Sequence, residues 1–121
     1  MNVEELREYC LKVKGATECF PFDEITLVFK IMNKMFAYVV LEPKDGDFFV
    51  NLKCDPDRSI ELRQTYEGVR SGFHANKIMW NSVYLVSDVP DKLIKELVNH
   101  SVEEVIKKLS KKLQNEYYNL S

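Results

Sequence analysis

Residues 25–53, ITLVFKIMNKMFAYVVLEPKDGDFFVNLK, decide the fold. Ile25, Leu27, Phe29 and Ile31 alternate with Thr26, Val28 and Lys30, and that period of two predicts a half-buried strand. Asn33-Lys34 follows as a turn, because Asn tolerates a left-handed backbone. Met35–Leu41 predicts a second strand. Pro43-Lys44-Asp45-Gly46 is a turn in which Asp-Gly favours a hairpin. Phe48–Lys53 predicts a third strand. Consecutive strands joined by short turns pair antiparallel, so the segment reads as a meander.

Upstream, Val3, Leu6, Cys10 and Val13 recur at helical spacing behind Glu4 and Glu5, which predicts a helix over Val3–Val13 ended by Gly15. Pro21 extends the backbone at Phe20, and Phe20 and Phe22 are expected to plug one end of the core. Downstream, Asp55-Pro56 reads as an N-cap with Pro at the first helical position. The helix it opens runs to about Tyr66, with Ile60 and Leu62 or Arg63 at its centre. GVRSGFHANKIMW (68–80) reads as a glycine loop leading into a strand over Ile78–Val86. Asp88 and Pro90 start a helix carrying Leu93, Ile94, Leu97 and Val98 on one face. Ser101–Glu104 matches a capping box and predicts a separate last helix, with Val102, Val105, Ile106, Leu109 and Leu113 as its stripe.

The expected fold is α+β, in the order α-β-β-β-α-β-α-α. It has two layers, an antiparallel β-sheet with helices packed on one face. The other face is expected to be solvated or to bind a partner. No linker or repeat divides the chain, so residues 1–121 form a single domain.

Bulk properties narrow the function. Charged residues make up 30% and hydrophobic residues 45%, as in ordinary globular chains and unlike disordered ones. Three cysteines without a short paired spacing argue against a disulfide framework. The N-terminal stretch carries Glu4, Glu5 and Glu8 with no apolar run behind a basic end, and the longest apolar stretch, Met35–Leu41, is far too short to span a bilayer. A cytoplasmic, monomeric protein without a membrane partner is expected. A net charge of −2 does not suit a protein that coats nucleic acid by charge alone. Residues 1–24, with three basic and six acidic side chains, hold the acidic excess, which leaves room for a positive surface elsewhere.

An ordered set of motifs spans the chain: FPFDE (20–24), NKMFA (33–37), VNLKCDP (50–56), GFHANKIMWNSV (72–83) and SVEEV (101–105). Together they resemble the MmcQ/YjbR family of small bacterial proteins. The resemblance implies a fold similar to the bacterial frataxin (CyaY-like) type. It also implies a DNA-binding role through projecting hairpins arranged as a double wing. Members tend to place Gly before the Lys of the KMF hairpin; Asn33 stands there in this chain and can adopt the same backbone.

Reactive constellations are sparse. His74 could titrate near neutrality, but His100 is far off in sequence, and no HxxxH, Walker loop, GxGxxG, GxSxG or HExxH is present. A loop hydrogen bond is the competing account of His74. Lys34 at a hairpin tip, Lys53 at a strand end, and Arg70, His74, Asn76, Lys77 and Trp80 around the glycine loop have the ingredients for phosphate contact and stacking. Against that stand a core Trp80 beside Ile78 and Val83, and solvated lysines guarding a sheet edge. Lys107, Lys108, Lys111 and Lys112 read as a solvated helix flank. Glu4, Glu5 and Glu8, with Glu18, Asp23 and Glu24, could suit a hard cation, yet they fit a favourable first-turn charge pattern better. No cofactor, metal or catalytic residue is expected. The expectation is a non-enzymatic binding module that contacts DNA weakly and salt-dependently through the hairpin tip and the Arg70–Lys77 loop. The alternative is a protein- or small-ligand-binding adaptor using the open sheet face.

Overall fold

The computed structural model describes residues 1–72 and 78–120. The elements among them are α1 (Val3–Leu11), β1 (Thr17–Cys19), β2 (Thr26–Ile31), β3 (Lys34–Val40), β4 (Phe49–Lys53), α2 (Pro56–Thr65), β5 (Val69–Ser71), β6 (Trp80–Tyr84), α3 (Asp91–Lys107) and α4 (Lys111–Tyr118). The strands form one antiparallel sheet in the order β1-β2-β3-β4-β6-β5. The α+β class and the central meander are as expected. Two short edge strands, β1 and β5, were not legible in the sequence.

Alternation along the strands separates two faces. Leu27, Phe29 and Ile31 of β2, Ala37 and Val39 of β3, Val50 and Leu52 of β4, and Val83 of β6 share one core. Leu6 and Cys10 of α1, Leu62 of α2, Ile94, Leu97 and Val98 of α3, and Tyr117 of α4 complete it, so the helices lie on that face. Phe36 is an extra residue in β3, because Phe29 faces Ala37 while Lys30 faces Met35. This bulge sends Phe36 into the core as well, with its ring centroid 6.3 Å from that of Phe29.

Local chemistry sets the ends. Asn2 accepts from the Glu5 amide at 2.8 Å while the Glu5 carboxylate accepts from the Asn2 amide at 3.1 Å, a capping box that starts α1. The β2–β3 turn is centred on Met32 (φ 47°) and Asn33 (φ 62°), one residue earlier than expected, and Lys34 already belongs to β3. Two successive positive φ angles are the signature of a type I′ hairpin, whose twist matches that of the strands.

Three expectations fail. Ser101 does not open a helix. It lies fully buried inside α3, which runs unbroken from Asp91 to Lys107. The stripe Ile94, Leu97, Val98, Val102, Val105 and Ile106 continues through it, and no Gly or Pro interrupts it. Phe20 and Phe22 do not plug the core; they are 49% and 69% exposed. Asp23 accepts from the amides of Ile25 and Thr26 and from the Thr26 hydroxyl, which pins residues 20–24 as an external turn before β2. The strand expected over 78–86 is trimmed to 80–84, leaving Ile78 and Val86 exposed.

Candidate functional site

The second sheet face, expected to be solvated or to bind a partner, is buried at its centre. The register lines up Cys19, Val28, Tyr38, Asn51, Ser82 and Arg70 across the strands. The four central residues, Val28, Tyr38, Asn51 and Ser82, are buried. Ser82 Oγ donates to Asn51 Oδ1 at 2.7 Å, and burial pushes the Tyr38 hydroxyl up to about 12. Ring pairs flank this row, Tyr38 with Trp80 at 5.6 Å and Phe49 with Tyr84 at 5.2 Å. The exposed groups therefore sit around its margin.

One end of the sheet gathers cations. Lys53 lies opposite Trp80 in the ladder, and Lys34 begins the neighbouring β3 at the same end. The Lys53 amide donates to Ser101 Oγ at 2.9 Å, and the Ser101 hydroxyl donates to the Phe36 carbonyl in the bulge. The Asp55 amide donates to His100 Nε2 at 3.1 Å, and the Asp55 carboxylate caps α2 through the Arg58 amide. These bonds draw the second half of α3 to the strand ends, which brings Lys108 near Lys53. Lys107 Nζ meets Glu104 Oε2 at 2.8 Å. Burial and then repulsion from Lys108 hold the Lys53 ammonium below the usual lysine range, with Glu104 opposing them. Lys34, Lys107, Lys108, Lys111 and Lys112 are all exposed.

The other end is acidic. Glu4 and Glu5 open α1, Asp45 and Asp47 occupy the β3–β4 turn, and Asp91 opens α3 beside the Met1 ammonium, 3.0 Å away. The distribution is uneven rather than segregated: Asp55, Glu103 and Glu104 lie among the cations at the first end, and Lys44 and Lys92 stand beside Asp45 and Asp91 at the other.

The sequence-predicted residues divide accordingly. Lys34, Lys53 and Trp80 share one end of the sheet. Trp80 is half-buried rather than core. Its carbonyl accepts from the Gly72 amide at 2.9 Å and from Arg63 Nη2 at 3.2 Å. A Cβ on Gly72 would come within 2.9 Å of that same carbonyl oxygen, so only glycine permits the approach. Arg63 Nε also donates to Asn81 Oδ1 at 2.8 Å, and Asn81 donates to Ser59 Oγ. Arg70 lies apart, on edge strand β5. Its guanidinium sits 4.7 Å over the Tyr84 ring, and its Nε donates to the Glu67 carbonyl. His74, Asn76 and Lys77 lie outside the described residues. Sequence reading missed the convergence of Lys108 and His100 on the end of β4, because nothing local couples residues so far apart.

The remaining candidates have local explanations. Burial pushes the Cys10 thiol up to about 12 and raises that of Cys54. Glu5 closes the α1 capping box, and Glu18 holds Arg7 at 2.8 Å. Among the described residues, no group of three or more His, Cys, Asp or Glu side chains converges on a metal-sized site. None of their helices is long and apolar enough to cross a membrane.

The YjbR family model matches residues 11–103. Two uncharacterised Escherichia coli proteins are similar over most of their length. YbdF of strain O157:H7 is 33% identical over 92% of this chain and 89% of its own, and YjbR of strain K12 is 32% identical over 88% of each. The crystal structure of a Deinococcus radiodurans protein with a DUF419 domain superposes with a TM-score of 0.86. It is 36% identical and covers 96% of this chain and 87% of its own. A Pseudomonas syringae protein shares the fold, with a TM-score of 0.72 at 23% identity, over 84% of this chain and 96% of its own.

Proposed function

The chain belongs to the YjbR family, and we propose that it is a non-catalytic nucleic-acid-binding module whose basic sheet end meets the phosphate backbone. The observation that carries this reading is the juxtaposition of Lys53 and Lys108. Burial and the charge of Lys108 lower the Lys53 ammonium's hold on its proton, while Glu104, which pairs with Lys107, opposes them. A phosphate between the two lysines removes the repulsion and replaces lost hydration with charge-assisted hydrogen bonds. Lys34 begins the neighbouring β3 at the same end, and Trp80 offers a half-buried ring opposite Lys53. Arg70, His74, Asn76 and Lys77 form the second contact of the reading, through the glycine loop. The protein acts as a cytoplasmic monomer on DNA. The alternative is a protein- or small-ligand-binding adaptor using the second sheet face, of which only the margin is exposed.

Fluorescence anisotropy with labelled duplex and single-stranded DNA at low salt tests it. Three to four phosphate contacts give a slope of about −3 in log K against log salt on duplex, from roughly −0.9 per contact. Lys34 and Lys108 are exposed, so K34E and K108E leave the fold intact, and together they weaken binding at least about tenfold, roughly 1.4 kcal/mol. No binding at tens of micromolar protein, or binding indifferent to both substitutions, overturns the reading.

A further inference from the structure

At the acidic end the fold leaves an apolar cleft of about 410 Å³. Val3 from the start of α1, Phe48 just before β4, and Leu85 and Val86 just after β6 form its walls, with Glu4 and Asp47 at the rim. Its size lies within the roughly 300–1,000 Å³ of side-chain-lined binding pockets. Two wall residues are unusually open for their type: Phe48 is 38% exposed and Val86 88%. The charged side chains that line the cleft are carboxylates. Asn2 is occupied by the α1 capping box, and the Met1 ammonium is held by the Leu85 carbonyl and by Asp91. Glu4 and Asp47 line the cleft, with Glu5 and Asp45 beside them in sequence and Lys44 as the one lysine of the adjoining turn, so carboxylates dominate its rim and favour a cation.

We infer that this cleft docks a basic, amphipathic peptide segment of a protein partner. An apolar side chain of the segment seats against Phe48, Leu85 and Val86, and flanking Lys or Arg side chains face Glu4, Asp45 and Asp47. The apolar surface continues outward along Val86, which favours a peptide segment over a small amine confined to the cleft. Charge complementarity sets both partner choice and association rate, so the complex weakens with salt. The inference is independent of the basic end, and the two sites can fail separately.

The test uses full-length protein tagged only at its C-terminus, so that the Met1 ammonium is preserved. The probe is a fluorescein-labelled helical peptide with Leu at i, i+3, i+4 and i+7 and Lys elsewhere; the control carries Glu in place of Lys. The Lys peptide saturates in the micromolar range and the Glu peptide does not bind. V86S removes an exposed apolar contact and D47K reverses a rim charge, and each weakens the Lys peptide about tenfold or more. Circular dichroism confirms that both variants stay folded, and K34E leaves peptide affinity unchanged. Equal binding of the two peptides, or affinity indifferent to V86S and D47K, overturns the inference. So does a dimer in sedimentation that D47K dissolves, which assigns the cleft to a second copy of this chain.

Discussion

Ser101 offers the sharpest test of how the site end is held together. Its hydroxyl is fully buried and bridges two strands: it donates to the Phe36 carbonyl in the β3 bulge and accepts from the Lys53 amide at 2.9 Å. S101A removes both bonds. Two lost bonds cost about 1 kcal/mol each, and an orphaned buried backbone group adds about 1–3 kcal/mol, less where water reaches the half-buried Lys53 side. The expected loss is about 2–4 kcal/mol, which for a chain of this length lowers Tm by about 8–16 °C. The comparison is Ser110, the N-cap of α4, whose hydroxyl accepts from the Leu113 amide at 3.3 Å in an exposed setting. S110A costs about 1 kcal/mol or less. Urea unfolding followed by circular dichroism, with the m-value checked for constancy, measures both. If S101A falls within about 0.5 kcal/mol of the unmodified protein, or S110A costs more, the bridging argument is wrong and the helix-capping reading regains its standing.

Four further outcomes follow from the same geometry. His100 accepts a backbone N–H at Nε2, so it must be neutral there, and burial together with Arg58 lowers its pKa. The unfolded chain then binds more protons, so this contribution is complete above about pH 6.5 and is lost as pH falls below it; H100Q, which accepts without titrating, flattens the urea midpoint between pH 7.5 and 5.5, and an unflattened profile refutes the assignment. A Cβ on Gly68 would lie 2.2 Å from Ser87 Oγ and 2.7 Å from Ser87 Cβ, so G68A costs about 1–3 kcal/mol, and thermal melts detect it unless the 87–89 turn can shift freely. N81A removes the acceptor of the Arg63 Nε–H and the donor to Ser59 Oγ, with an expected loss of about 2–3 kcal/mol; a neutral result in chemical unfolding refutes that magnitude. Cys19 on edge strand β1 reacts with a thiol reagent at pH 8 in the native protein, whereas the buried Cys10 and Cys54 react only after unfolding; three equally fast thiols contradict the burial pattern.

Much of the fold was legible because its signals are local. The alternation of Ile25–Ile31, the Asp-Gly turn and the Asp55-Pro56 cap each depend on neighbours a few residues away. The turn at Met32-Asn33 was misplaced by one residue because Asn33 carries a visible left-handed preference and Met32 does not; the strand pair imposes φ 47° on Met32 regardless. β5 stayed hidden because three residues, Val69–Ser71, carry no readable period, and only pairing with β6 defines them. The SVEE motif at 101–104 misled because Ser101 makes its bonds to β3 and β4 rather than to its own helix.

The sequence by itself determined the α+β class, the antiparallel meander, the apolar faces of the helices and the family, because periodicity, turn chemistry and ordered motifs are written along the chain. Only the tertiary structure decided where charge collects. Lys53 and Lys108 are 55 positions apart in sequence (108 − 53), and Glu4 and Asp47 are 43 apart (47 − 4). Coulomb and hydrogen-bond energies depend on distance in space, and that distance is set when α3 packs across β3 and β4. A chain of net charge −2 thereby gathers Lys34, Lys53 and Lys108 at one end of its sheet.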